Sequence, residues 1–277
     1  MTKKIVAIIG SPRKGDTVKA LQKFENVYNS FYEAEFEYLS LAKLQLKDCI
    51  GCHLCVTKGD EYCHQSEKVG TIIEKMLKAD GIILATPIYS EHITYLMKKM
   101  VDYLSFLYHR PRLFGKQFLG IVVGGPVAKT CLKYLSKTTQ AWGGTWVGGF
   151  GVPHYDSLTP KYKKSLDKDF ETYAYQFYKA LEKKPLIKPS IKRIMWFYIW
   201  KVNVVVCKED GVKDFEYWKQ KEWVNSFFYY PIKINPFKKA ITKLMMNLGK
   251  KFMGKMFESY KNIEIPEINK ESTIESK

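Results

Sequence analysis

Residues 1–184 alternate between short apolar runs and longer segments with the periodicity of helices. The five strand candidates are residues 3–10, 35–41, 81–87, 117–125 and 145–152. All but the second are almost continuously apolar, as expected for strands buried on both faces of a parallel sheet. The helix candidates are residues 17–30, 69–78, 92–108, 128–142 and 160–183. This alternation predicts an α/β domain in which helices cover both faces of a parallel sheet.

Five parallel strands joined by helical crossovers fit the flavodoxin-like strand order 2-1-3-4-5. In an open sheet of this kind, ligands bind beyond the carboxyl ends of the strands, at the switch point between strands 1 and 3. The loops that follow the first, third and fourth strands therefore carry the candidate binding residues.

The loop after the first strand, residues 10–17, has the sequence Gly-Ser-Pro-Arg-Lys-Gly-Asp-Thr. The hydroxyls of Ser11 and Thr17, the guanidinium of Arg13 and the backbone N–H groups of the same loop are suited to bind a phosphate. The glycine spacing matches neither a dinucleotide-binding loop nor a P-loop, which favours a phosphomonoester such as that of FMN. The alternative is an ordinary strand-to-helix turn in which Asp16 or Thr17 caps the helix.

Two further loops end at the same edge of the predicted sheet. The loop after the third strand carries four candidates for contact with a flat ring, which are Pro87, Ile88, Tyr89 and Ser90. Tyr89 is suited to pack on the ring face, and nearby backbone N–H groups are suited to bond its polar edge. After the fourth strand, Gly124 and Gly125 lack side chains and permit close approach of a ligand. A β-turn with a surface tyrosine is the alternative, but three suitable loops at one edge favour flavin binding.

Four of the six cysteines lie within fifteen residues, and these are Cys49, Cys52, Cys55 and Cys63. Their spacing, C-x2-C-x2-C-x7-C, suits a [4Fe–4S] cluster, in which three closely spaced thiolates and a more distant fourth bind the irons. Structural zinc usually pairs two C-x2-C motifs separated by about a dozen residues or more, so zinc fits less well. Free thiols and a catalytic or structural dithiol are the alternatives.

Composition limits the class of protein. Hydrophobic residues make up 46% of the chain, which excludes a disordered protein. The formal charge of +17 indicates an anionic partner, such as a phosphate ligand, a membrane surface or nucleic acid. The apolar run after Lys4 is too short for a secretory signal, and no run reaches the roughly 18 apolar residues of a spanning helix. Together with the clustered cysteines, these features predict a cytoplasmic protein.

Pro185 and Pro189 mark a boundary between a domain of residues 1–184 and an appendage of residues 185–277. The appendage is rich in aromatic residues and strongly basic. Residues 236–257 have the period of a basic amphipathic helix. The sequence therefore predicts a helical, aromatic-rich second domain.

The appendage has two main interpretations. One is peripheral contact of residues 191–257 with the anionic inner face of the cell membrane, with lysines against lipid and aromatic residues at headgroup depth. The other is packing of the apolar faces on the protein core or on a dimer partner. Nucleic acid ranks last, because no recognisable nucleic-acid module is present.

Three motifs together give a resemblance to a known family. They are Gly-Ser-Pro-Arg-Lys-Gly-Asp-Thr at residues 10–17, Cys-Ile-Gly-Cys-x-x-Cys at residues 49–55 and Ala-Thr-Pro-Ile-Tyr-Ser-Glu-His-Ile-Thr-Tyr-Leu-Met-Lys at residues 85–98. These motifs resemble the flavodoxin-like NAD(P)H-dependent FMN reductases, and the four cysteines resemble those of the iron–sulfur flavoproteins within that family. The resemblance covers about the first 180 residues.

The resemblance implies a set of cofactor contacts and a homodimer. The implied phosphate contacts are Ser11, Arg13 and Thr17, the implied ring contacts are residues 87–90 with Gly124 and Gly125, and the implied cluster ligands are Cys49, Cys52, Cys55 and Cys63. The chain departs from the family at Asp16, where Asn is common. A carboxylate there repels a phosphate dianion unless it faces away from it.

These observations predict an oxidoreductase that passes electrons from NAD(P)H through FMN, and through the cluster where it is present, to an unidentified acceptor. No side chain is assigned as a catalytic acid, base or nucleophile, because the protein's task is to place and tune the flavin. Two alternatives stay open. One is a non-catalytic, membrane-associated flavin electron carrier or adaptor, and the other is a scaffold that binds no flavin.

Overall fold

The computed structural model describes residues 2–124, 127–183, 186, 189–209, 211–232, 240, 241, 244, 247 and 255. The chain divides into two compact units. The first comprises Met1–Cys52 and Cys63–Leu186, and the second comprises His53–Tyr62 and Ile187–Lys277. One of the four clustered cysteines, Cys55, therefore belongs to the second unit.

The described part of the first unit contains a six-stranded sheet. Its strands are β1 (Lys3–Ile9), β2 (Ala34–Ser40), β3 (Gly81–Tyr89), β4 (His92–Ile93), β5 (Gln117–Val123) and β6 (Thr145–Val152). Five of them pair in parallel in the order β2-β1-β3-β5-β6. This confirms the predicted topology, since β5 and β6 are the fourth and fifth strands of the sequence prediction. The sixth, β4, was not predicted, and it pairs antiparallel with the end of β3.

The helices of the first unit are α1 (Asp16–Phe31), α2 (Leu41–Leu44), α4 (Ser66–Lys78), α5 (Tyr95–Tyr103), α6 (Ala128–Ala141) and α7 (Pro160–Lys183). The short helix α3 (Leu54–Thr57) and the helices α8 (Ile191–Val206) and α9 (Val212–Gln220) belong to the second unit. The single helix predicted over residues 92–108 is wrong in its bounds. Thr94 caps α5 by accepting a hydrogen bond from the Met97 N–H, so the helix starts after β4, and a 3₁₀ turn, Ser105–Tyr108, follows it.

Helices α1 and α7 pack together on one face of the sheet. The buried side chains of this core include Ile5, Ala7, Ile9, Ile83, Leu119, Ile121, Leu21, Phe24, Phe170 and Phe177. The alternate strand residues, such as Ile8, Leu84 and Val122, are equally buried on the opposite face. Burial of both faces explains the continuous apolar runs in the sequence. It also anchors α1, so that the helix N-terminus is fixed at the carboxyl edge of the sheet.

The second unit is held by an aromatic cluster, defined as Phe197, Tyr198, Trp218, Trp223, Phe228 and Tyr229. The rings of Phe197 and Trp218 stack at 5.3 Å between centroids, and the indole N–H of Trp223 donates to the Tyr229 carbonyl at 2.9 Å. Most of these rings are buried. Packing within the second unit therefore accounts for these aromatic residues, whereas the sequence analysis placed such packing on the protein core or on a dimer partner.

Lys201 of α8 is fully buried within this unit. Its ammonium donates to the Ser226 carbonyl at 3.4 Å and lies 5.4 Å from the centre of the Tyr198 ring. Burial disfavours the charged form and lowers the pKa of Lys201 from its usual 10.5 to about 8.

The predicted amphipathic helix of residues 236–257 lies almost entirely outside the described residues. No helix in the described part of the chain is long and apolar enough to cross a membrane.

Candidate functional site

A network of buried threonine hydroxyls joins the ends of β1 and β3 at the carboxyl edge of the sheet. The Thr94 hydroxyl donates to the Gly10 carbonyl at 2.6 Å, and the Thr94 N–H donates to the Thr86 hydroxyl at 3.3 Å. Both side chains are fully buried. The network fixes the first loop of the site against the start of α5. Sequence reasoning missed Thr94, although a threonine directly before a segment of helical apolar periodicity is a helix-start signal.

The first loop places the predicted phosphate contacts together. Ser11 and Thr17 are buried, and the Ser11 hydroxyl donates to the Arg13 carbonyl at 2.7 Å, which closes a tight turn. A side chain added at Gly15 would lie 3.7 Å from the Arg13 Nε, so the guanidinium lies beside this part of the loop. The loop thus combines two hydroxyls and one cation at the N-terminus of α1.

The backbone donors of this loop are open. Among the described residues, none accepts a hydrogen bond from the backbone N–H groups of Lys14, Gly15, Asp16 or Thr17. The first N–H groups of a helix have no partner within the helix and need one from elsewhere. Four adjacent open donors at a helix N-terminus are suited to bind an anion, because the helix dipole also favours negative charge there.

Asp16 is the first residue of α1, and its carboxylate makes two contacts on one side of the loop. Its oxygens lie 3.1 Å from His154 Nδ1 and 3.9 Å from Lys19 Nζ. The residue that caps the helix is Gly15, and no side chain provides the cap, so the alternative of a cap by Asp16 or Thr17 is not what the structure contains. The carboxylate is therefore occupied by these two side chains rather than by a capping hydrogen bond.

The second loop is a β-hairpin. The strand predicted to end at residue 87 continues to Tyr89, which pairs with His92 across a two-residue turn. Both turn residues, Ser90 and Glu91, have positive φ values of 47° and 64°, as a type I′ turn requires. The predicted end of the strand is therefore wrong by two residues, and a β-turn, as in the alternative interpretation, follows it. The sequence did not reveal the hairpin because neither turn residue is the glycine or asparagine typical of such turns. Tyr89 is 43% exposed and open to a planar ligand.

The third loop touches the second. Gly124 has a φ of 135°, and a Cβ there would lie 3.3 Å from the Ile88 Cβ, so only glycine fits without displacement. Its N–H donates to the Val152 carbonyl at 2.9 Å, which ties the loop to the end of β6. Gly125 lies outside the described residues. The structure thus brings Gly124 against Ile88, as the predicted ring site requires.

A fourth strand end contributes residues that sequence reasoning missed. The segment after β6 includes a 3₁₀ turn, Tyr155–Ser157, and a small pocket of about 100 Å³ lies between this segment and α1. Lys23 of α1 donates to the Tyr155 hydroxyl at 2.6 Å and lies 2.5 Å from the Asp167 carboxylate. These contacts hold the segment on α1. The rule that ligands gather beyond strand ends applies equally to β6 and was a signal for it.

Three of the predicted cluster ligands lie in the first unit. Cys49 and Cys52 are exposed, and Cys63 is half-buried. Among the described residues, no group of three or more His, Cys, Asp or Glu side chains is close enough to hold a metal ion. Thiolates are nevertheless the donor type that iron–sulfur clusters take.

Helix α5 holds the chain next to these cysteines. The Tyr103 hydroxyl donates to the Lys47 carbonyl at 3.0 Å and contacts His64 Nε2 at 3.1 Å. Lys99 pairs with Asp48 at 2.6 Å. Burial, followed by the negative charges of nearby groups that include Cys49 and Cys63, raises the pKa of Tyr103 to about 12. The Tyr103 phenol therefore stays protonated as a hydrogen-bond donor.

An open parallel sheet whose carboxyl edge carries an anion-binding loop, an exposed tyrosine and a close glycine turn is the architecture of a flavodoxin-like flavin protein. Comparisons with known proteins define the class further. The family model of NADPH-dependent FMN reductases matches residues 3–157, which is more than half of the chain.

Two curated relatives are iron–sulfur flavoproteins. One from Archaeoglobus fulgidus is 31% identical over 231 residues, which cover 80% of this chain and all of the relative. One from Methanocaldococcus jannaschii is 37% identical over 128 residues, which cover 45% of this chain and 61% of the relative. The chain belongs to the NADPH-dependent FMN reductase family and, within it, to the iron–sulfur flavoprotein branch. The resemblance drawn from the three motifs and the prediction of an NAD(P)H-dependent FMN oxidoreductase are confirmed.

A solved structure of a flavone reductase is similar in fold. It has a TM-score of 0.50 and 16% identity, and the match covers 65% of this chain and 63% of the flavone reductase chain. This likeness agrees with the strand order described above.

Proposed function

We propose that this protein binds FMN at the carboxyl edge of its sheet and passes electrons from NAD(P)H to an acceptor outside the flavin site. The observation that carries the proposal is the set of open backbone N–H groups of residues 14–17, which adjoin the buried Ser11 and Thr17 and the cation of Arg13. A phosphate monoester satisfies such donors and places its charge where the helix dipole favours it.

The ring site rests on the second and third loops. The hairpin residues Pro87, Ile88, Tyr89 and Ser90 offer a rigid surface, with the partly exposed Tyr89 ring at its edge. Gly124 packs against Ile88, and Gly125 follows it in the sequence, so no side chain at residue 124 or 125 blocks a flat ligand. The fixed hairpin lowers the entropic cost of ordering the ring site on binding.

FMN, when bound, supplies hydride acceptance and release of single electrons. The chain's own residues bind and orient it, and none is assigned as an acid or a base. Thr94 and Thr86 keep the first loop and the hairpin in fixed relation. Tyr89 is suited to cover the ring and limit the access of water.

We also propose that the four clustered cysteines, Cys49, Cys52, Cys55 and Cys63, ligate a [4Fe–4S] cluster. The support is their spacing, their soft thiolate chemistry and the names of the curated relatives, which are iron–sulfur flavoproteins. Metal binding is coupled to the ordering of the residues that hold the metal. Cysteines that lie apart in the described residues are therefore compatible with this proposal. The homodimer implied by the resemblance is proposed with it.

The test uses the full chain, purified without oxygen. FMN is titrated by quenching of flavin fluorescence, and NADH or NADPH oxidation is followed with a quinone or free flavin as acceptor. We expect saturable FMN binding and steady turnover. Tight FMN binding without turnover would favour the non-catalytic carrier, and absence of FMN binding would favour the scaffold without flavin.

A matched pair of variants locates the phosphate site. Arg13→Gln is expected to weaken FMN binding by about tenfold, because a charge-assisted hydrogen bond is worth about 1.5–3 kcal/mol. Lys168→Gln removes a cation from the exposed surface of α7 and is expected to leave binding unchanged. Equal effects of the two changes would show that Arg13 acts only through the overall charge.

A further inference from the structure

The Asp16 carboxylate lies at the end of α1 where the open N–H groups gather. A carboxylate at this position competes with a phosphate for the positive end of the helix dipole and repels a phosphate dianion. Any anion site at residues 14–17 therefore depends on where Asp16 points and on what neutralises it.

Two side chains contact Asp16 from one side. The His154 imidazole approaches to 3.1 Å from the segment after β6, and the Lys19 ammonium approaches to 3.9 Å from the next turn of α1. Lys19 also lies 3.5 Å from Asp156, so the carboxylates of Asp16 and Asp156 share one lysine. His154 is thus the partner that Asp16 does not share with another carboxylate among the contacts of the described residues.

The segment that carries His154 is itself fixed to α1. The Tyr155 hydroxyl accepts from Lys23 at 2.6 Å and donates to Asp167 at 3.1 Å, and the Lys23 ammonium lies 3.9 Å from the centre of the Tyr155 ring. These contacts hold the residue next to His154 on the same helix that begins with Asp16. The contacts of Tyr155 therefore keep the backbone of His154 close to the start of α1.

We propose that His154 is a positioning residue of the phosphate site, which holds the Asp16 carboxylate away from the bound phosphate and so sets the affinity of the protein for FMN. This inference rests on the proposed function, since it takes the anion at residues 14–17 to be a flavin phosphate. His154 touches Asp16 and acts through it. The effect is specific to ligands that carry the phosphate.

The test is a double-mutant cycle on the full chain with two ligands, FMN and riboflavin, which has the same ring without the phosphate. The variants are H154Q, D16N and the double variant, and dissociation constants are measured by fluorescence quenching at neutral pH and low salt. H154Q is expected to weaken FMN binding by about two- to fivefold, the range of one exposed polar contact to a carboxylate. In the D16N background, the same change is expected to have no effect, because no carboxylate remains to be held.

Two further measurements separate positioning from a structural role. Riboflavin binding is expected to be equal in all four proteins, and H154K, which places an ammonium beside the Asp16 carboxylate, is expected to restore the wild-type affinity for FMN. An additive cycle, an equal loss for riboflavin, or wild-type FMN affinity in H154Q would each overturn the inference. Failure of the wild-type protein to bind either flavin would instead overturn the proposed function.

Discussion

The phosphate loop, residues 10–17, and the cysteine segment, residues 49–63, are both predicted cofactor sites. They differ in how much of each site the fold itself builds. The phosphate loop uses backbone N–H groups and buried hydroxyls, whose positions follow from β1 and α1. The cysteine segment uses side-chain thiols, and Cys49 and Cys52 are exposed. A site of backbone donors is preformed once the sheet is folded. A site of thiolates is completed only when the metal binds, because metal binding and ordering of the thiolates are coupled.

The largest expected effect tests whether the two sites form independently, as this comparison implies. Cys52→Ser is expected to abolish the absorbance of a cluster, because thiolate ligation at each position is needed to hold the irons. FMN binding is expected to remain, because its site rests on the fold. Visible spectra and flavin content of anaerobically purified protein check both statements, with Cys207→Ser as the matched control. Loss of FMN together with the cluster would show that the two sites form as one.

The next effect tests whether the phosphate loop is preformed. Thr94→Val keeps the shape but removes the hydroxyl that donates to the Gly10 carbonyl and caps α5. The expected cost is about 2 kcal/mol of unfolding free energy, from an unsatisfied buried carbonyl and a lost cap. FMN binding is expected to weaken as well. Urea unfolding measures the cost, and Thr130→Val, on the exposed surface of α6, is the control. Unchanged stability would show that packing alone holds the edge.

An effect of similar size extends the comparison to the second unit, where the Lys201 ammonium is a buried donor rather than an open one. The pKa of Lys201 is lowered to about 8 in the folded protein, so between pH 8 and its usual 10.5 the unfolded chain binds more protons than the folded one. The contribution of Lys201 to stability therefore rises with pH in that range.

Lys201→Met is expected to stabilise the protein by about 2 kcal/mol at pH 7, since it removes a buried charge, and to lose this advantage near pH 10. Urea unfolding of both proteins at several pH values gives the difference between their unfolding free energies. The contributions of the other titrating groups cancel in this difference. A difference that does not change with pH would contradict the assignment.

The smallest effect concerns the support of the cysteine segment. Tyr103→Phe removes the hydrogen bonds to Lys47 and His64. We expect an intact cluster that an iron chelator removes up to about fivefold faster, since one hydrogen bond is worth about 1 kcal/mol. Tyr95→Phe, on the exposed surface of the same helix, is the control. Equal rates in the two variants would remove Tyr103 from the support of the site.

The sequence was sufficient to predict the sheet and its strand order, because four of the five strands are apolar on both faces and leave a continuous signal. It also predicted the strand, loop and helix start of residues 3–17, where glycine and hydroxyl residues follow one another, and the anion site in that loop stays a prediction. The hairpin at residues 87–93 escaped prediction because Ser90 and Glu91 adopt positive φ without glycine. His154 escaped because its role depends on a contact with Asp16, 138 positions earlier in the sequence.

The appendage shows a different limit of sequence reasoning. Dense aromatic residues fit both a membrane face and a packed core, since the two environments select the same side chains. The long-range contacts of Phe197 with Trp218 and Phe228 decide in favour of packing for these rings. The basic residues of 236–257 lie almost entirely outside the described part of the chain, so peripheral membrane contact through them stays a prediction.

Helix α5 connects the supports of the two proposed cofactor sites. It begins beside the candidate phosphate loop and ends at Tyr103, which hydrogen-bonds the chain next to the predicted cluster ligands. Its nine residues rise about 13 Å along the axis, since each adds 1.5 Å. One continuous helix therefore carries contacts that fix the first loop at one end and the chain beside Cys49 at the other.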